Sequence, residues 1–404
     1  MRIALVDTAP KQVVDPVSLL KLGAWRRGCG DDCELFHNTL PPPGVFDEIW
    51  LTTCFSFDMP HALGMVREAK KRAARVWVGG ISASLFPRVF QSEGVDVHVG
   101  LLPEAEACAP DYSLLGKAPE YSITHTTRGC VRKCKFCMVS KLEPKFSRRE
   151  SWENDIHPES RRIRFYDNNW LAKSVKALKK DADIIAQLCK RGILSVDFNQ
   201  GLDCRLLTDE KLNAIKRIPI KPVRFAFDNM EEDGHYQSAV TRMADAGFGM
   251  FTTYVLFNFN DTPADLWYRL RASAELSEMT GATVESFPMR YAPIDVACVK
   301  RLYSGPHWPG GKAKLLTRIT GIINRSGLLN LKNVEEFEYW FGQSADEFER
   351  LLRYPKLTTL LKRKKGQARW LHPKWLHVRE GILNQTGEGG SIPTPALQKK
   401  TRKK

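Results

Sequence analysis

The apolar positions of this chain come in short runs separated by stretches of helical period. In the first third, Ile3–Val6, Ile49–Thr53, Val76–Val78 and Val95–Val99 are apolar runs of strand length. Between the second and third, Met59 to Ala74 carries Leu63, Val66 and Ala69 at helical spacing, with basic residues on the other side. Strands alternating with helices predict a small parallel sheet, a Rossmann-like domain over residues 1–118. Gly79-Gly80 falls at the end of a strand, where such sheets bind ligands.

From residue 119 the alternation continues without sequence repetition. Tyr121–Thr127, Arg162–Tyr166, Leu194–Phe198, Val223–Phe227, Phe251–Phe257 and Val284–Arg290 read as strands. The helices between them have legible ends. Leu171–Arg191 sets Val175, Leu178, Ile185 and Leu188 on one face and stops at Gly192. Thr208-Asp209-Glu210 offers a capping hydroxyl and two acids at the positive end of a helix dipole. Tyr236–Ala246 ends at Gly247, and Thr262-Pro263-Ala264-Asp265 opens a helix reaching Met279. The prediction is an α/β unit of six strand–helix pairs over residues 119–300. Its chemistry belongs at the C-terminal strand ends.

Beyond Pro293 the pattern becomes a Gly/Pro/Trp-rich linker, Ser304–Gly311. Short helices follow, opened by capping boxes at Asn333-Val334-Glu335-Glu336 and Ser344-Ala345-Asp346-Glu347. Residues 301–404 are expected to form a basic helical region with a disordered tail.

Charge sharpens that last region. The net charge of the 404-residue chain is +15. From Tyr354 onward there are thirteen Lys/Arg against two acids, Glu380 and Glu388, so this segment holds most of the excess. Lys362–Arg369 is followed by Trp370 and Trp375, the combination that RNA or another nucleic acid uses for phosphate contact and base stacking. The alternative is a solvated helix whose tryptophans pack on the domain before it. No apolar run reaches membrane-spanning length, and the first residues read as a strand rather than a signal peptide. With ten cysteines, that leads us to expect a cytoplasmic protein without a membrane partner, whose thiols serve as metal ligands or core residues.

Three of those cysteines define the candidate chemistry. Cys130, Cys134 and Cys137 stand in a C-x3-C-x2-C spacing directly after a predicted strand, preceded by Gly129. Three thiolates in one tight loop can hold three corners of a four-iron four-sulfur cluster and leave one iron open to a chelating ligand. A zinc site with His125 as fourth ligand is the other reading. Structural zinc usually draws on a second pair of ligands, however, and none follows at such spacing.

The spacing, with the aromatic Phe136 before the last cysteine, resembles the radical S-adenosylmethionine superfamily. That resemblance implies a partial (β/α)6 barrel and S-adenosylmethionine held on the open iron by its amino and carboxylate groups. It also implies reductive cleavage to a 5′-deoxyadenosyl radical that abstracts hydrogen from substrate, and an electron donor such as a flavodoxin or ferredoxin. Carried over by position, Asp167, Asn168 and Asn169 after the second strand would face the methionine amino group. Arg205 would meet its carboxylate, and Asp228 the ribose hydroxyls. The Gly-Gly-Glu and Glu-Ser stretches of many members are absent. Asx turns and helix caps are the alternative for these residues, and more so for Asn260 and Asp261.

Residues 1–118 resemble the cobalamin-binding-type domain that precedes many such barrels. Gly79-Gly80 matches its glycine pair. Its Asp-x-His-x-x-Gly stretch is replaced by Asp7-Thr8-Ala9-Pro10-Lys11-Gln12, without the cobalt-ligating histidine. The implication is a degenerate domain that keeps the fold, with cobalamin held without histidine as the less favoured alternative. Cys29, Cys33 and Cys54 suggest a second cluster as in the methylthiotransferases, whose first domain Trp50–Cys54 faintly resembles. That family's other two cysteine positions have no match, and core thiols are the better reading. The enzyme expected is a radical S-adenosylmethionine enzyme of open subclass, with methyl or methylthio transfer among the reactions and RNA or another nucleic acid as substrate. A small-molecule or peptide substrate is one alternative, and a non-catalytic nucleic-acid-binding protein with a structural metal is another.

Overall fold

The computed structural model describes residues 1–11, 15–295, 303–308, 311–313, 316, 328–353 and 380. β1 (Arg2–Asp7), β2 (Asp32–His37), β3 (Glu48–Thr52), β4 (Arg75–Gly79) and β5 (Asp96–Val97) form one sheet in the order β2-β1-β3-β4-β5. Every pairing in it is parallel. The chain leaves β1 toward one side and returns on the other at β3, so the crevice between these strand ends is the place such sheets bind ligands. β1 is buried from Ile3 to Asp7, and apolar clusters cover both sheet faces. Several elements escaped the sequence reading, two of them packed against β1. β2 is an edge strand in which acids alternate with Cys33 and Leu35. Helix Val17–Gly28 buries Lys21 among its leucines.

The second row of strands begins with β6 (Ser122–Thr124), which pairs with β9 (Arg162–Phe165), itself paired with β10 (Ser195–Phe198). β11 (Val223–Ala226), β12 (Met250–Phe257) and β13 (Thr283–Arg290) continue it in parallel. Single parallel bridges, Val196 to Ile220 and Leu202 to Phe225, join the two halves. The six predicted strands thus stand in chain order. The first differs from its prediction: after Thr124 the backbone turns, and β7 (Thr127–Arg128) pairs antiparallel with β8 (Ser147–Arg148).

Capping sets the helix starts. Ser174 Oγ accepts from Ala177 N (3.3 Å) and starts helix Val175–Lys190 four residues later than the apolar pattern predicts. Thr208 caps Asp209–Ile215. Thr262 and Asp265 cap each other's backbone N–H at 3.1 and 2.8 Å, and helix Pro263–Thr280 closes on left-handed Gly281. Between strands and helices lies an aromatic core in which Phe165 stacks on Phe198, ring centroids 4.9 Å apart. Each such buried ring stabilises by about 1.5–3 kcal/mol.

The predicted linker packs instead of spanning. Trp308 is fully buried, and its indole donates to Asp261 O at 2.8 Å. β14 (Leu329–Asn330) adds antiparallel to β13, and helices Val334–Phe341 and Ala345–Arg353 begin where the capping boxes place them. The first also ties to Pro263–Thr280 through Arg271 and Glu338 (3.1 Å). The basic stretch with Trp370 and Trp375, and the predicted tail, lie outside the described residues. Among the described residues no helix is long and apolar enough to cross a membrane.

Candidate functional site

The cysteine loop starts at the end of the first strand of the six-strand row and is held from behind. Gly129 has φ +73°, and a Cβ there would lie 2.2 Å from Lys145 O, so only glycine lets the returning chain pass. Glu143, on that returning chain, accepts from Gly129 N (2.6 Å), Arg128 (3.1 Å) and Asn168 Nδ2 (2.8 Å). Within the loop, Arg132 N and Asn169 Nδ2 approach Cys130 Sγ at 3.3 and 3.6 Å, and Cys137 N bonds Cys134 O at 3.0 Å.

The three thiols are close enough to feel one another. Burial, then Cys137 nearby, pushes the Cys134 thiol up to about 11, and burial also raises Cys137. Among the described residues no three His, Cys, Asp or Glu side chains converge on a single metal ion. His125, the alternative fourth ligand, is buried and kept neutral, well below its ordinary value, chiefly by desolvation. Its Nε2 lies 3.4 Å from Glu106 rather than on the thiols.

The residues expected around a cofactor divide into two groups. Asp167 is turned into the protein. Its carboxylate accepts from Thr126 N (3.1 and 3.0 Å), Thr126 Oγ1 (2.6 Å) and Thr127 Oγ1 (2.7 Å), and clamps the backbone turn before the cysteines. Asp167, expected at the cofactor, is thus a buried carboxylate engaged by three donors, which leaves it little acceptor capacity for a ligand. Buried Lys173 supports the clamp, reaching Thr126 Oγ1 (2.6 Å) and pairing with Asp181. Asn168 is likewise engaged, on Glu143.

Asn169, Arg205 and Asp228 remain at the strand ends. Asn169 is buried; its amide nitrogen donates to Asp203 (3.2 Å), and its Oδ1 has no partner. Asp203 also accepts from Arg205 Nε (2.7 Å) and Arg132 Nε (2.9 Å). Arg205 continues to Glu232 (3.2 Å), whose other oxygen accepts from Asp228 N (2.6 Å). Burial pushes Glu232 up to about 7 and Asp228 up to about 6, and the two carboxylates reinforce each other in Glu232. Asp228 is secured by Leu256 N at 2.9 Å. Phe136 meets Phe259 edge-on at 5.8 Å. Glu143 and Glu232 were missed from sequence because neither has a spacing that ties it to the cysteines. Asp261 pairs with buried Arg269 (2.8 Å), a structural role different from the Asx turn or helix cap named as its alternative.

A cavity of about 850 Å³ opens between the two units. The first sheet lines it with Asp7, Thr52 and Gly80, and the second unit with Arg128, Glu143 and Tyr166. Gly80 has φ +93°, and a Cβ there would meet Thr53 O at 2.5 Å, which accounts for the glycine pair. Trp25, Trp50 and Trp77 also line the cavity, their rings 6.2 and 5.9 Å apart in sequence. Trp77 Nε1 and His98 Nε2, both at this cavity, are buried without partners. Asp7 binds His37 Nδ1 (2.8 Å) from the neighbouring strand, and Ala9 occupies the position of the family's histidine. Of Cys29, Cys33 and Cys54, only Cys33 is a core thiol; the other two are exposed, and Cys54 lines the cavity.

These two units define an α/β protein whose fold is similar to that of a solved radical S-adenosylmethionine methyltransferase. No family model matches the chain, and no curated protein matches it by sequence. Among solved structures it is similar to the radical S-adenosylmethionine methyltransferase TsrM from Kitasatospora setae with cobalamin and a [4Fe-4S] cluster bound. Identity is 12%, over 73% of this chain and 77% of that one, with a TM-score of 0.55. The same enzyme with its tryptophan substrate and an S-adenosylmethionine analogue gives 14% identity, 72% of each chain and a TM-score of 0.50.

Proposed function

We propose that this protein is a radical S-adenosylmethionine enzyme that transfers methyl groups, with a [4Fe-4S] cluster on Cys130, Cys134 and Cys137 and cobalamin in the cavity between the units. The observation that carries the reading is the juxtaposition itself. Arg128 and Glu143, which hold the cysteine loop from behind, also line the cavity of about 850 Å³. When bound, the cluster supplies the electron that cleaves S-adenosylmethionine, and cobalamin supplies a methyl carrier.

The residues fit both groups. The donor set is thiolate-rich, as iron–sulfur ligation requires. Buried Asn169 Oδ1 lacks a donor that an ammonium would provide. We infer that Arg205 offers its guanidinium to a carboxylate, oriented by Asp203 and Glu232, and that Asp228 accepts from ribose hydroxyls. Phe136 would lie against the cofactor from the loop. The six strands in chain order support a partial (β/α)6 barrel as the frame. With Ala9 where a cobalt-ligating histidine would stand, cobalamin would be held by the cavity walls, and the three tryptophans would supply its apolar contact.

For the substrate, the basic residues 354–404 support RNA or another nucleic acid. Their deletion should abolish polyanion binding; unchanged binding would point to a small molecule or peptide. The class itself is tested by anaerobic reconstitution and dithionite reduction with S-adenosylmethionine, reading iron, sulfide and cleavage products. Products that disappear in Cys134→Ala support it, and zinc in place of iron would end it.

A further inference from the structure

Four aromatic rings run in series away from the cysteine loop. Phe136, the residue before Cys137, meets Phe259 edge-on at 5.8 Å. Phe259 meets Tyr291 at 4.7 Å, and Tyr291 meets Tyr303 at 5.4 Å, with the ring planes 63° and 83° apart. Phe259 follows β12 and Tyr291 follows β13, so the series crosses the C-terminal ends of the last two strands of the row. That is the end of the row at which Asn169, Arg205 and Asp228 also stand.

One buried side chain fixes the backbone that carries these rings. Asn258 is fully buried and left-handed (φ +69°), a conformation unfavourable for most side chains and tolerated by asparagine. Its amide donates to Tyr291 O (3.2 Å) and Tyr303 O (3.3 Å) and accepts from Gly305 N (2.9 Å). Arg290 also donates to Tyr303 O (2.7 Å). Gly305 passes so close that a Cβ there would stand 2.6 Å from Phe259 O. The backbone is thus held from several directions, while all four rings stay half-exposed. Among the described residues neither tyrosine hydroxyl has a hydrogen-bond partner. Fixed rings with accessible area and unpaired phenols suit a planar group that has a polar edge. A purely apolar occupant would leave both hydroxyls unsatisfied. A nucleobase has the flat face and the polar edge, and unpaired bases are held by stacking on aromatic side chains. Its phosphates also complement a chain of net charge +15.

We propose that Phe259, Tyr291 and Tyr303 form a stacking platform for one unpaired nucleobase of a single-stranded nucleic acid. This rests on the nucleic-acid substrate proposed above and gives the base a place of its own. The rings hold the base at the strand ends, and the tyrosine hydroxyls bond its edge. The basic residues 354–404 hold phosphates and leave the base free to reach the platform.

The test uses the full chain without cluster and two labelled single-stranded RNA oligonucleotides of equal length and charge, one of ordinary sequence and one built from abasic ribose. The wild-type protein should bind the base-bearing strand roughly tenfold or more tighter than the abasic one. Tyr291→Ala/Tyr303→Ala should remove most of that preference and leave affinity for the abasic strand as it was. Tyr291→Phe/Tyr303→Phe keeps the rings and should keep most of the preference, which separates lost stacking from a disturbed fold. Equal wild-type affinity for the two strands would overturn the platform and leave the nucleic-acid reading standing. An undiminished preference in Tyr291→Ala/Tyr303→Ala would overturn it in the same way. Binding of neither strand would remove the nucleic-acid substrate and the platform together. Free tryptophan bound by the wild type and lost in the alanine variant, with strand binding unchanged, would overturn the proposal in favour of a small aromatic substrate.

Discussion

Gly129→Ala offers a direct test of how the cysteine loop is shaped, because the chain contains its own control. Gly129 and Gly281 have nearly the same φ, +73° and +70°. An alanine in this left-handed region costs about 1–2 kcal/mol at either site. The surroundings differ. Around Gly281 an added Cβ meets nothing within 4 Å, whereas at Gly129 it meets Lys145 O at 2.2 Å, Lys145 C at 2.7 Å and Glu143 O at 2.9 Å. These are backbone atoms of the strap that Glu143 fastens to the loop, so relief requires moving that strap by roughly 1.2–1.8 Å, to reach ordinary contact distance. Such a shift breaks the Glu143 bonds to Gly129 N and Asn168, each worth about 1.5–3 kcal/mol for a charged acceptor. Thermal unfolding and iron and sulfide content after reconstitution should be measured on both variants. Gly281→Ala should lower the midpoint slightly and load as wild type. Gly129→Ala should lose most of its iron. Equal loading and equal midpoints in the two would refute the argument that the strap shapes the loop.

Other expectations follow from the same contacts. Lys173→Met leaves buried Asp181 without its cation and should cost about 3–5 kcal/mol in urea unfolding; a loss under 1 kcal/mol would mean the pair contributes little. Glu232 is raised to about 7 from 4.5 by burial, so the folded state holds its proton more tightly than the unfolded state. Its stabilisation is complete below about pH 4.5 and is lost as pH rises through 7, roughly 3 kcal/mol in all for the protein without cofactors. Glu232→Gln should flatten that part of the stability–pH curve, and an unchanged slope would assign it to other groups. Arg205→Met should weaken S-adenosylmethionine binding to the reconstituted protein by tenfold or more in calorimetry; unchanged affinity would remove Arg205 from the site.

The local order of this chain is written in its periodicity. Short apolar runs and capped helices located most strands of both rows, because burial and caps act over a few neighbouring residues. The cysteine spacing likewise placed three thiols in one loop, since a tight loop needs no distant partner. The sequence could not tell Asp167 from Asn169. Both follow the same strand, yet one closes on Thr126 and Thr127 while the other keeps an orphan oxygen beside Cys130. That difference arises from the backbone turn after Thr124, which depends on β8 returning from twenty residues away. Edge strand β2 was invisible because only one neighbour supports it and half its residues are polar. Trp308 read as linker because its burial rests on Asp261 and on helices from either side of it in sequence. The cavity between the units, and the joining of its wall to the cysteine loop through Arg128 and Glu143, belong to tertiary structure alone. They exist only when residues far apart in the chain exclude water together, and no local pattern encodes that meeting.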